Sequence, residues 1–347
     1  MYSSLLLAIL IRNAPSKLIG MKIFGWAADQ AGCQYYRIRL PLETLGAEGL
    51  IADYSMEMPR EYLEDKDWTI IGQRVCNPAP SSLWRKMADQ GRKLIYEIDD
   101  DLFNVDPDNK TAYGFFGNPE IQKNIKNCAR AASRVIVSTE PLAEIMREFN
   151  SDVVVCPNTI PAWLLDERVS RRKEEKVTIG WGGSPTHKID FGTVRNHIRR
   201  VLDRHPEAEF HAIGTNYASW MRIPESKCRF TPWVTDVPTF FRKIDYDIGI
   251  APLKHVKFNR SKSHIKALEC AALGIPIVAS NIEPYRNFLQ DGVTGFLVES
   301  DHQWGTYLRE LIEDEYLRLE MGNQAREMAR KWTIEANIEM WRKAYTL

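Results

Sequence analysis

From residue 21 onward, short β-rich runs alternate with longer stretches of helical period, and a single block of charge interrupts the series. Such alternation calls for parallel sheet covered by helices on both faces. In the first half the strand runs are 22–26, 68–73, 93–98, 134–138 and 153–156, with helical stretches at 41–47, 82–90, 120–131 and 141–149. Residues 166–176 then carry nine charges in eleven positions, which cannot be buried cheaply and predict an exposed linker. The pattern restarts with strands at 177–181, 209–213, 229–233, 247–252, 276–280 and 295–299. Helices are expected at 191–204, 237–243, 263–273, 284–289, 303–314 and 315–331. The expectation is two doubly wound α/β domains: residues 21–165 and 177–331, with a linker at 166–176 and a closing segment at 332–347.

A chain of 347 residues has room for two such cores. Lys plus Arg and Asp plus Glu both number 46, so no global field attracts nucleic acid or anionic lipid, and any anion must be bound locally. The six cysteines (33, 76, 128, 156, 228 and 270) form no C-x-x-C pair and no zinc-spaced cluster. They read as free thiols of a reducing cytoplasm, with no metal site. The apolar run at residues 5–11 is too short to span a bilayer and lacks the basic flank of a secretory signal. Residues 1–20 are therefore taken as an extension, either an upstream start or a loosely attached arm.

In open α/β sheets ligands bind beyond the carboxyl ends of the strands, so the residues after each strand matter most. After 22–26 comes a loop with one glycine, Gly32. It either brings backbone amides to an anion or is an ordinary βα turn, and it is not a G-x-G-x-x-G fingerprint. Arg37 beyond it can pair with a phosphate or lie on the surface. The strand 93–98 runs into Asp99, Asp100 and Asp101. One of these adjacent carboxylates can act as general base or orient a sugar hydroxyl, another can cap the next turn, and Asp-x-Asp metal binding is formally open. After 177–181 come Gly182, Gly183 and Ser184, then Lys188: a phosphate loop with its cation, or a flexible turn with a solvated lysine.

The segment 259–276 carries most. Lys262, Lys266 and Glu269 are spaced four and three apart and share one helix face, while Ile265, Leu268 and Ala272 face the core. Ser261 or Ser263 can cap the helix, presenting free amides and cations to a diphosphate, with Glu269 one turn deeper for a ribose diol. His264 lies in the same stretch. The competing reading is a solvated face of Lys/Glu pairs. Gly274 and Pro276 stop the helix.

Residues 266–280, followed by 291–298, resemble the C-terminal half of glycosyltransferase family 4 enzymes (glycosyl transferases group 1), which have the GT-B fold. The likeness extends to the first strand and its Gly32 loop, to 177–188 and to 321–326. It implies two Rossmann-like domains facing a cleft, with the last helix crossing back to the N-terminal domain. It also implies a retaining transferase moving a sugar from a nucleoside-diphosphate sugar (UDP- or GDP-linked), with no obligatory cofactor or metal. Donor-binding positions would be Gly32, Gly183, Ser184, Lys188, Lys262, Ser263, His264, Lys266 and Glu269; Glu269 matches the second glutamate of Glu-x7-Glu. Asp99 falls where many relatives have a histidine near the reacting sugar, so Asp99 and Asp100 are the catalytic candidates, with Arg37 toward acceptor or phosphate. Ser261 stands where the first motif glutamate would be, and Trp181 replaces an arginine. The acceptor is expected to be a polysaccharide, glycolipid, protein or small molecule, with no nucleic acid partner and no transmembrane segment. Location is expected in the cytoplasm or peripheral to a membrane.

Three other readings compete. A single-sheet GT-A transferase would use Asp99–Asp101 to hold a metal, a non-catalytic protein would only bind the sugar nucleotide, and an epimerase would alter the sugar without an acceptor.

Overall fold

The computed structural model describes residues 20–167 and 176–347. Most of the expected extension and most of the charged linker lie outside the described residues. The first lobe is a six-stranded sheet of β1 (Lys22–Trp26), β2 (Ile51–Ser55), β3 (Trp68–Gln73), β4 (Leu94–Ile98), β5 (Arg134–Val137) and β6 (Val153–Val155), in the order β2-β1-β3-β4-β5-β6. The second contains β7 (Val177–Gly183), β8 (Ala208–Gly214), β9 (Cys228–Pro232), β10 (Ile248–Ala251), β11 (Ile277–Ser280) and β12 (Gly295–Val298), in the order β12-β11-β10-β7-β8-β9. Neighbouring strands are parallel in both sheets. Two separate sheets overturn the single-sheet GT-A alternative.

Central strands are buried on both faces, which is why they read as nearly unbroken apolar runs. All five residues of β4 are buried, among them Glu97. The sequence reading misses β2, an edge strand pairing only with β1, because its Ile-Ala-Asp-Tyr-Ser run is half exposed and carries a carboxylate. Strand order reverses between β1 and β3 in the first lobe and between β7 and β10 in the second. The loops after these strands open a crevice at each reversal, and the two crevices face each other.

The final helix, Ile338–Tyr345, lies on the first lobe as the resemblance implies. Trp341 and Tyr345 are fully buried. Arg342 pairs with Glu48, and Arg134 Nη1 donates to the carbonyls of Lys343 and Ala344 at 3.0 Å and of Thr346 at 2.8 Å. Just before this helix, the backbone of Ile160 bonds both Trp332 and Ile334, stitching the two chain passages together. All six cysteines are free.

Candidate functional site

A cleft of about 520 Å³ lies between the lobes. On the first-lobe side, the chain leaves β1 and enters a helix whose first turn, Gly32–Gln34, widens into a π turn at Tyr35–Arg39 before the α-helix Leu40–Gly46. Asp29 Oδ1 accepts from the amides of Ala31 at 2.9 Å and Gln34 at 3.3 Å. Gln73, at the end of β3, clamps the same loop through Ala28 N and Cys33 O, both at 3.1 Å. Gly32 thereby lines the cleft, and the widened turn directs Tyr36 and Arg37 to it.

The second-lobe side is the helix Ile265–Ala272 facing the end of β7. Lys262, Ser263, Lys266 and Glu269 all line the cleft, as do Gly183 and Ser184. Tyr36 crosses from the first lobe to donate to Glu269 Oε1 at 2.5 Å. Burial raises the Glu269 pKa, with Lys266 and the Tyr36 hydroxyl opposing. Lys266 donates to Gly182 O at 2.6 Å and lies 5.2 Å from the centre of the Trp181 ring. Burial, together with Lys262, lowers its pKa, with Glu269 opposing. Lys262 reaches across to Asp100 Oδ1 at 3.3 Å. Burial works against its charge, but Asp100 and Asp190 outweigh that and its pKa is raised. Lys266 and Glu269 thus turn the expected face to the interlobe gap, while Lys262, expected on the same face, reaches that gap from the loop before the helix, which starts only at Ile265.

The glycine run differs from expectation: Gly182 and Gly183 end strand β7 rather than following it. A Cβ on Gly182 would stand 2.7 Å from the Phe240 ring, and one on Gly183 would stand 2.5 Å from Trp181 and 3.1 Å from Lys266 Nζ. Close packing of neighbours therefore requires these glycines in the absence of any ligand.

Four further expectations are corrected. Lys188 is exposed, does not line the cleft, and stands 5.7 Å from the centre of the Trp220 ring, because the short Lys188–Phe191 helix turns its first residue outward. No serine caps the Ile265–Ala272 helix: its N-cap is His264, without a side-chain cap bond, while Ser263 Oγ accepts from Asn158 at 2.9 Å. Arg37 is fully buried, with its Nε on Glu97 at 2.6 Å and Nη1 on Asn158 at 3.0 Å and on the Cys156 carbonyl. Its charge is therefore countered inside the first lobe, even though it borders the cleft.

His264, finally, is a core residue. Its ring stacks on Phe288 at 4.4 Å and meets Trp332 edge-on at 4.4 Å. Burial lowers its pKa to about 4, against about 6.5 in an unfolded chain. The unfolded chain therefore binds a proton that the folded chain refuses, so this contribution to stability is complete above pH ~6.5 and is lost as the pH falls toward 4. At pH 5 the loss is about 2 kcal/mol. His264→Phe keeps the stack and removes the titration; the difference in denaturant stability between pH 7 and pH 5 is expected to shrink by about that amount. An unchanged difference would contradict the assignment.

The three aspartates after β4 diverge. Asp99 Oδ1 is buried without a hydrogen bond, 3.8 Å from Arg74 Nε, and Ser138 Oγ donates to the Asp99 carbonyl at 2.8 Å. Asp100 meets Lys262 across the cleft. Asp101 is fully buried and holds Asn104 Nδ2 at 2.8 Å and the Phe103 amide at 3.2 Å, the turn-capping role the sequence allowed. Asp99 and Asp100 line the cleft and Asp101 does not.

Sequence reasoning passed over Arg74, Tyr36, His187 and Asp190. Arg74 directly follows β3, has a left-handed φ of 48°, bonds Asp29 and borders the cleft; its place after a strand end was the available signal. His187 lines the cleft, its Nδ1 2.9 Å from Asp190 Oδ2, and burial lowers its pKa with Asp190 opposing. Asp190 Oδ1 also accepts from Lys254 N and Asn259 Nδ2, both at 2.9 Å. The His-x-x-Asp spacing beside the glycine run was visible in the sequence. Tyr36 had no local signal, since its partner is more than two hundred residues away.

Among known proteins, the family described as "Glycosyl transferases group 1" matches residues 178–314. A D-inositol 3-phosphate glycosyltransferase of Paenarthrobacter aurescens (strain TC1) is 34% identical over 84 residues, 22% of this chain and 21% of that protein. The same-named protein of Corynebacterium glutamicum (strain R) is 32% identical over 90 residues, 25% of this chain and 21% of the relative. The matched segments span about a fifth of the length of these relatives. Among solved structures, Anabaena HepE in complex with UDP-glucose superposes with a TM-score of 0.67 at 13% identity, covering 94% of this chain and 100% of that one. Sucrose-phosphate synthase from Thermosynechococcus elongatus gives 0.65 at 12% identity, covering 93% and 98%. The fold is GT-B.

Proposed function

Taking the second lobe as a member of the group 1 glycosyltransferase family, we propose that this chain is a retaining transferase that moves a sugar from a nucleoside-diphosphate sugar to an acceptor hydroxyl. The observation that carries the reading is the placement of Glu269: half-buried in the interlobe cleft, on the same helix face as Lys266, with Lys262 in the loop just before that helix, and opposite the end of β7. A carboxylate so placed accepts two hydrogen bonds from a ribose diol once the Tyr36 hydroxyl yields its place. The UDP complexes of HepE support a uridine diphosphate donor.

Departure of the nucleotide develops negative charge on the leaving phosphate. Lys262 and the backbone amides around Gly183 and Ser184 are the groups in the cleft able to stabilise it, in a site where burial strengthens the interaction. Lys266, held on Gly182 O, fixes that turn. The acceptor hydroxyl approaches from the face the phosphate leaves, so no enzyme nucleophile is needed and configuration is retained. Asp99 and Asp100, on the opposite wall, position the reacting sugar or the acceptor, with His187 beside the glycines as a further hydrogen-bonding group. Acceptor choice belongs to the first lobe.

Calorimetric titration of UDP- and GDP-sugars into the wild type and two lysine variants tests this. Lys262→Ala is expected to weaken donor binding about ten-fold or more, the loss of a charge-assisted contact, while Lys188→Ala changes it less than about two-fold. The reverse pattern, or no donor binding by the wild type, would remove the assignment.

A further inference from the structure

The second lobe carries another cavity, about 240 Å³, between the helices Arg195–Arg204 and Asp301–Glu313. Three arginines line it: Arg200 and Arg204 from the first helix and Arg309 from the second. His197, His205, His302, Gly305 and Thr306 complete most of the rim. The three arginines are exposed, and none has an acidic partner among the described residues. Three nearby carboxylates face histidines: Glu207 lies 2.8 Å from His205 Nδ1 and Glu313 4.0 Å from His205 Nε2, while Asp301 acts on His197. Asp203 and Glu310 sit beside Arg204 and Arg309 in the chain without a salt bridge to them. His302 Nδ1 is 3.1 Å from Ser300 Oγ.

In a chain whose charges cancel overall, such a local excess costs free energy. Like charges four apart on a helix repel by a few tenths of a kcal/mol, as Arg200 and Arg204 do. The helix dipole favours a cation in the last turn, which accounts for Arg204 but not for Arg200 or Arg309. Gly305 adds an independent feature. It sits inside a helix, where glycine costs roughly 1 kcal/mol relative to alanine, and a Cβ there would meet nothing within 4 Å. The missing side chain leaves the cavity open beside the arginines.

We propose that this cavity is an anion site, separate from the interlobe cleft, that takes a multiply charged phosphate group: a soluble phosphomonoester or diphosphate, or the phosphorylated headgroup of a lipid. Guanidinium groups bind phosphate oxygens in pairs, and three converging from two helices suit a group bearing two or more charges. The volume, less than half that of the cleft, fits such a group and not a whole sugar nucleotide.

The probe is inorganic pyrophosphate, titrated by calorimetry into the full chain carrying Lys262→Ala to weaken the cleft. Adding Arg200→Gln, Arg204→Gln and Arg309→Gln together is expected to weaken binding about ten-fold or more. Adding Gly305→Leu instead leaves every charge in place and fills the cavity; it is expected to weaken binding comparably, whereas diffuse surface attraction would not respond to it. The three arginines are exposed helix positions and Gly305 is half-buried, and circular dichroism confirms that each variant is folded. Binding unchanged in either variant, or absent from the parent, overturns the proposal. Phosphatidylcholine vesicles with and without a phosphatidylinositol phosphate then separate the two sources. Sedimentation with the phosphorylated vesicles that the triple variant loses assigns a headgroup; pyrophosphate binding without vesicle retention assigns a soluble phosphate.

Discussion

Replacing Glu269 by alanine is expected to lower kcat/KM for the sugar-nucleotide donor by about 100-fold or more. Two hydrogen bonds from a ribose diol to a charged acceptor contribute roughly 1.5–3 kcal/mol each, and neither can be made by a methyl group. Glu269→Gln keeps the shape and one acceptor oxygen and should fall between. Tyr36→Phe is the informative partner. The Tyr36 hydroxyl occupies Glu269 Oε1 in the free protein, so its removal abolishes a competitor and donor affinity should hold or tighten. Direct titration of the donor into all three variants checks this. If Glu269→Ala binds donor like the wild type, the glutamate is not a ribose ligand, whatever its place in the cleft.

The second large effect is on folding. Arg37→Ala is expected to cost about 3–5 kcal/mol of stability, because it strands Glu97 in the centre of a sheet. Both members of the pair are fully buried and 2.6 Å apart. Burial already pushes the Glu97 carboxyl up to about 7, with Arg37 opposing. Arg37 also lies 4.9 Å from the centre of the Trp341 ring, so the same substitution loosens the final helix from the first lobe. The control is a double replacement, Arg37→Met with Glu97→Leu, which removes both charges and should recover most of the loss. Urea unfolding of the single and double variants decides it: a single variant within about 1 kcal/mol of the wild type would mean that the pair is solvated in solution.

Most of the architecture was legible because parallel sheets buried on both faces leave continuous apolar runs, as in β10, β11 and β12, and eleven of the twelve strands stand out as β-rich runs, the half-exposed edge strand β9 among them. The edge strand β2 does not, because its half-exposed run is broken by Asp53. The cleft-facing helix was legible for a related reason: Lys266 and Glu269 are polar at helical spacing on an element that is otherwise core, and Lys262 continues that spacing into the loop before it. What spacing could not give was direction in space. Lys188 and Lys262 look equally suited to a phosphate in the sequence, and only the turn of a four-residue helix sends one outward over Trp220 while the other meets Asp100. Arg37 and His264 illustrate the same limit, since a buried partner, or the lack of one, is decided by segments remote in the chain. The glycines of β7 were legible as glycines but not as packing necessities, because Tyr246, Phe240 and the Trp181 ring reach them only in the folded lobe.

The stitching of Ile160 to the segment around Thr333 has a mechanical consequence. The polypeptide passes between the lobes twice, and these backbone bonds gather the second passage against the strand-end segment that leads into the first. Bodies joined at neighbouring points are biased toward rotation about those points rather than toward sliding. Tyr36 and Glu269, Asp100 and Lys262, and Asp106 and Lys254 join the lobes across the cleft itself. Widening the gap between the lobes therefore has to break these three contacts.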